Sequence, residues 1–141
     1  MSIVAAVDGE AGSTQVVETA VDLARAYDTE LYVVNVITEE EMERRRDERE
    51  DYFIDDAARD AAGVARGVVA DVTDDREAIT PVGRIGEPVE EVLEEGDKRD
   101  ADYIVMGGRK RSAVGKALFG SVTQSLLLSA DRPVVTVITQ G

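Results

Sequence analysis

The chain has 141 residues and a mass of 15.2 kDa, one domain's length, with room for a real core and too little for two. Its 30 acids against 16 bases leave a net charge of -14, a surface that repels phosphate backbones and anionic lipid and so argues against general nucleic-acid or membrane binding. Cysteine and histidine are both absent, which removes disulfides, thiolate chemistry, imidazole acid–base catalysis and Cys/His zinc sites.

Ile3 to Val7 is a continuous apolar run that stops at Asp8-Gly9, the pattern of a central strand in a parallel sheet. Ser13 or Thr14 is placed to cap a helix whose apolar stripe falls at Val16, Val17, Ala20, Leu23, Ala24 and Tyr27. Leu31 to Ile37 repeats the buried-strand pattern. Residues 39 to 51 are almost wholly charged, with Met42 the one apolar anchor, and read as a solvated loop or frayed helix start; a flap over a site is the functional alternative. From Ile54 a long helical stripe returns, through Ala57, Ala61, Ala65, Val68 and Val72.

Ala78 to Val82 reads as a short strand, with Pro81 inside it and Gly83 to Gly86 closing it. Pro88 suits the first position of a helix, with Glu87, Glu90 and Glu91 at its positive end. Tyr103 to Met106 is a further short buried strand ending at Gly107-Gly108. A last helix spans about Gly120 to Ala130, and a final strand, Val134 to Ile138, follows Pro133. Strand–helix alternation at this spacing predicts one doubly wound, five-stranded parallel sheet with helices on both faces, filling a single domain over residues 1–141. Ligands of such sheets sit beyond the strands' carboxyl ends, where strand order reverses. Asp8 and Gly107 are candidates on that ground.

The stretch from Tyr103 to Ala130 holds no acid in a chain of 30, and it carries Arg109, Lys110, Arg111 and Lys116. A positive island in so negative a protein points to a bound anion. Gly107-Gly108 permits close approach, and Gly120-Ser121 opens a helix whose free N–H groups favour phosphate. The phosphate-loop pattern G-x-x-x-x-G-K-[ST] fails, because Lys110 and Ala117 stand where Gly and Ser or Thr are required. A dinucleotide fingerprint after the first strand fails on glycine spacing.

The chain resembles the universal stress proteins of the UspA type over essentially its whole length. The resemblance rests on Ile3 to Gly9, Leu31 to Ile37 and Gly86-Glu87-Pro88. Its most specific part is Ile104-Val105-Met106-Gly107, then Gly120-Ser121-Val122, then Pro133-Val134-Val135. It implies a Rossmann-like sheet and a stress-response protein that binds ATP or a related adenine nucleotide, with Mg²⁺ or Mn²⁺ on the phosphates. By the same resemblance Val7 belongs to the nucleotide site, Asp8 contacts the ribose, and main chain at Val36 meets the adenine. Gly107, Gly120, Ser121 and Val122 cradle ribose and phosphates. Nucleotide-binding members carry Gly, two residues, Gly, nine residues, Gly and then Ser or Thr. Here the middle glycine is Lys110, whose bulk restricts positive φ, while its ammonium beside Arg109 and Arg111 offers charge instead.

Three functional readings follow. The first is a homodimeric nucleotide-binding stress protein with little or no hydrolysis, since neither a general base nor a nucleophile pair can be assembled. The second is a nucleotide-free dimeric interaction module in which Lys110 marks a lost binding loop. The third, an adenine-nucleotide hydrolase, lacks catalytic residues. Dimerisation is expected through residues 134–138, an apolar strand at a sheet edge. No apolar run approaches the ~20 residues of a membrane span and no signal-peptide pattern opens the chain, so a cytoplasmic protein is expected. Thirteen of the 16 bases are Arg, and an acid-rich, lysine-poor surface suits a cytoplasm at molar salt.

Overall fold

The structure is a computed structural model, and it describes residues 1–110 and 120–140. In chain order the elements are β1 (Ser2–Ala6), α1 (Ser13–Ala26), β2 (Glu30–Ile37), α2 (Glu39–Glu48), α3 (Ile54–Val72), β3 (Ile79–Ile85), α4 (Pro88–Lys98), β4 (Ala101–Lys110), α5 (Ser121–Ser129) and β5 (Val134–Gln140). The five strands form one parallel sheet in the order β3-β2-β1-β4-β5. The order reverses between β1 and β4, neighbours in space that are far apart in the chain.

Alternation along the strands divides the core. Ile3, Ala5, Leu31, Val33 and Val105 face α1 and α3, which bring Val17, Ala20, Ala65 and Val69 against them. Ile104 and Met106 point the other way, toward Val89 and Val92 of α4 and Leu126 of α5. The central strand β1 is buried on both faces, which is why its sequence is apolar without alternation. Edge position explains Pro81: β3 pairs with β2 alone, so a residue without an N–H is tolerated there. Gly83, also in β3, meets α3 so closely that a Cβ would collide with the Ala58 carbonyl oxygen and lie 2.5 Å from the Ala62 nitrogen.

Several local expectations are corrected. Residues 39–48 form a capped helix of ten residues rather than a loop or a frayed helix start: the Thr38 hydroxyl accepts the Glu41 N–H at 3.2 Å, and Arg45 joins Glu41 one turn back to Asp60 of α3. Tyr52 completes that anchor, its ring buried and its hydroxyl donating to Asp60 at 2.7 Å. Strand β3 runs on through Gly83 and Arg84 to Ile85, because each residue finds a ladder partner in β2. Likewise β4 does not stop at Met106. Gly107 and Gly108 lie inside it, opposite Val137 and Ile138, so this glycine pair is strand rather than turn. Neither Ser13 nor Thr14 caps α1. Gly12 does, at φ 108°, and no side chain completes that end.

Candidate functional site

A cavity of about 570 Å³ opens at the carboxyl ends of β1 and β4, at the reversal of strand order. Its walls divide by chemistry. One side is apolar, made by Val36 of β2, Met106 of β4, and Pro88 and Val92 of α4. The other is made of helix beginnings: Gly12 and Ser13 open α1, and Gly120, Ser121 and Val122 open α5. Neither helix has a side-chain cap, so the amide dipoles of two helices bring partial positive charge to one space.

The start of α1 is held there by a close fit. A Cβ on Gly12 would come within 3.1 Å of the Thr139 methyl, and the positive φ of this residue suits glycine. The β1–α1 turn is built around Asp8, whose Oδ1 accepts the Glu10 N–H at 2.8 Å and the Ser13 hydroxyl at 3.0 Å. Ser13 Oγ in turn accepts from the Gly9 N–H at 3.1 Å. The role expected of Ser13 as a helix cap is thus replaced by a role in the turn. On the opposite wall the Thr123 hydroxyl donates to the Gly107 carbonyl at 2.9 Å and fastens the first turn of α5 to β4.

Of the residues singled out from sequence, Val7, Asp8 and Val36 border the cavity. Gly107, Gly120, Ser121 and Val122 border it as well. The main chain of Arg109 and Lys110 continues β4 opposite Thr139 and Gln140. Their side chains, together with Arg111 and Lys116, lie outside the described residues. The acid-free character of the β4–α5 side does not extend around the whole space, since Asp8 and Glu10 also border it. Sequence reading passed over Asn35 and Thr139, which border it too. For Asn35 a signal was present: it is a lone amide inside the apolar run Leu31 to Ile37.

Helix α4, which supplies Pro88 and Val92, is held by charge. Arg84 of β3 meets Glu91 at 3.0 Å, Glu94 at 3.1 Å and Glu95 at 2.8 Å. Burial works to raise the Glu95 carboxyl, but hydrogen bonds and charge from Arg99 and Arg84 outweigh it and leave it below its ordinary range. The apolar wall of the cavity therefore stands on a helix tied to β3 by ion pairs.

The sequence profile of the universal stress protein family matches residues 1–137. The chain belongs to that family. A universal stress protein of Mycolicibacterium smegmatis is 34% identical over 130 residues, which cover 89% of this chain and 88% of that protein. Among solved folds, a universal stress protein from Archaeoglobus fulgidus is 29% identical at a TM-score of 0.67, covering 96% of this chain and 97% of the other. One universal stress protein solved in complex with cAMP is 23% identical at a TM-score of 0.61, covering 99% and 97%. A universal stress protein from Archaeoglobus fulgidus solved in complex with dAMP is 22% identical at a TM-score of 0.61, covering 96% of each chain. Family membership agrees with the Rossmann-like sheet, and among the described residues no helix is long and apolar enough to cross a membrane.

Proposed function

We propose that this universal stress protein binds ATP or a related adenine nucleotide in the cavity at the carboxyl ends of β1 and β4, with little or no hydrolysis. One observation carries the reading: two helix N-termini without side-chain caps meet at a single apolar-walled cavity of about 570 Å³. Phosphate would lie on the amides of Gly120, Ser121 and Val122, with Gly107 alongside. Asp8 and the Val7 main chain would flank the ribose, and the Val36 main chain would meet the base. Arg109 and Lys110 would add charge, and Mg²⁺ or Mn²⁺ would enter with the phosphates. Among the described residues no three acid side chains converge to hold a metal. The adenine ligands of the cAMP and dAMP complexes support the choice of base. Hydrolysis is not expected because the chain has neither histidine nor cysteine to serve as base or nucleophile.

The working unit would be a cytoplasmic homodimer. β5 is an edge strand with open ladder groups, and Ile138 stands 44% exposed on it. Light scattering at micromolar concentration should give twice the chain mass, and a strictly monomeric mass refutes the dimer. One observation favours the second reading, a nucleotide-free interaction module: Lys110 takes the place of a loop glycine, and its main chain is still paired in the sheet. Calorimetric titration with ATP and AMP, joined to mass spectrometry of small molecules released on heating, decides between them. At about one hundred times Kd, ligand should stabilise the fold by about 2.7 kcal/mol. Neither heat nor co-purified nucleotide would leave the interaction module standing. Lys110→Gly should bind ATP as well or better; complete loss would make the ammonium essential.

A further inference from the structure

We infer that a second cavity, at the opposite end of the sheet from the nucleotide cavity, is a binding site for a small organic cation of the alkylammonium class. It has a volume of about 430 Å³ and opens at the amino ends of β1, β4 and β5. Ile3, Tyr27, Tyr103 and Pro133 give it an apolar and aromatic lining, and Asp102, Asp131 and Arg132 also border it. Tyr27 follows the last residue of α1 and ends that helix's apolar stripe, yet it is 52% exposed rather than covered by the core. Its ring stacks on that of half-buried Tyr103, with centroids 5.9 Å apart and planes 25° from parallel.

The electrostatics of this space favour a positive guest. Aromatic faces carry the negative part of the ring quadrupole and attract ammonium groups. Helix α1 ends just before Tyr27 and α5 ends two residues before Asp131, so the carboxyl ends of two helices add partial negative charge. Asp102 owes its place to an irregularity in the sheet. Ser2 pairs with Ala101 and Ile3 with Tyr103, which leaves Asp102 as an extra residue of β4 with no partner in β1. Its side chain is exposed and makes no ion pair among the described residues, the ammonium of nearby Met1 included. Arg132 is engaged elsewhere: Nη1 donates to the Gly96 carbonyl at 2.9 Å and the Ala101 carbonyl at 2.7 Å, and Nη2 to Asp97 at 2.7 Å. Its Nε lies 3.5 Å from Asp131, so Asp102 is left uncompensated. A cation whose charge is spread over methyl groups suits both the apolar lining and the rings.

The test titrates the full chain calorimetrically with choline and with its neutral isostere, 3,3-dimethylbutan-1-ol, in about 0.1 M salt. Choline should saturate one site per chain and bind about fivefold or more tighter than the isostere, because only the cation gains from the rings and the carboxylate. Tyr27→Leu and Asp102→Asn should each weaken choline by about threefold, whereas Tyr27→Phe keeps the ring face and should bind as before. Glu43→Gln removes an exposed acid of α2, at the other end of the sheet, and should leave choline binding unchanged. An isostere that binds as well as choline reduces the cavity to an apolar crevice and overturns the inference; this comparison needs no variant to fold. Equal losses in Glu43→Gln and Asp102→Asn overturn it too, since the attraction would then be diffuse. So does the absence of any saturable heat with choline.

Discussion

Arg84 of β3 donates through Nη1 to Oε1 of Glu95 on α4 at 2.8 Å, joining an edge strand to the helix that walls the cavity. Oε2 of the same carboxylate accepts from Arg99 Nε at 2.7 Å, and the Arg99 guanidinium stands 4.1 Å over the Tyr32 ring. The Glu95 side chain is 1% exposed, so a buried charge is held here by two cations at once. Removing Glu95 takes away the ion-pair partner of Arg99 and one of the three carboxylates around Arg84, which costs more than an exposed pair is worth. Glu95→Ala should lose about 3–5 kcal/mol in urea denaturation. A loss under about 1 kcal/mol would mean that water reaches the arginines.

The same carboxylate sets an acid limb. Burial raises its affinity for a proton, but Arg99 and Arg84 lower it further, and the net shift is below the ordinary value of 4.5. A group whose folded pKa is depressed stabilises fully above the unfolded value, and that stability is lost as pH falls through the folded one. Unfolding free energy measured from pH 7 down to pH 2 should therefore fall less steeply for Glu95→Gln than for the unsubstituted chain, with the difference confined below about pH 4.5. Parallel curves through that window would refute the assignment.

Two glycines should respond in opposite directions to the same substitution. At Gly83 the added methyl would strike the Ala58 carbonyl oxygen, so α3 must leave the sheet to admit it. Gly83→Ala should cost about 3 kcal/mol or more. Gly67 is exposed on α3, and a Cβ there meets nothing within 4 Å. Gly67→Ala should stabilise by about 0.5–1 kcal/mol, because alanine loses less entropy in a helix. Thermal melts of both variants read the contrast directly, and a stable Gly83→Ala would require a looser α3–β3 contact.

The fold was legible because the strands buried on both faces leave unbroken apolar runs, and β1 and β2 did so plainly. Strand ends were not. Gly107 and Gly108 look like a turn in sequence, yet β5 supplies ladder partners that hold them extended. Local glycine content carries no trace of that distant pairing. Helix α2 was hidden for a related reason: it buries no residue of its own, and what secures it is Tyr52 and Asp60, beyond its end. In the site, Gly120 and Ser121 were visible as a helix opening, whereas the Gly12–Thr139 contact joins residues that only the folded sheet makes neighbours.

Salt tests the surface as a whole. A net charge of -14 on 141 residues repels itself at every distance within the Debye length, which falls from about 10 Å at 0.1 M to about 3 Å at 1 M. Exposed pairs such as Arg25–Asp75 and Arg59–Asp56 lose their small attraction over the same range. With 30 acids to 16 bases the excess negative charge has no opposite partner, so screening should favour the folded state. Melting temperature should rise between about 0.1 M and 3 M potassium chloride, at about 2–4 °C for each kcal/mol gained, with most of the rise complete by about 1 M. The buried Arg84–Glu95 pair is shielded from the salt, so Glu95→Ala should show the same rise from a lower starting point. An unchanged melting temperature would remove the case for a salt-adapted surface and leave the acidity to be explained by solubility alone.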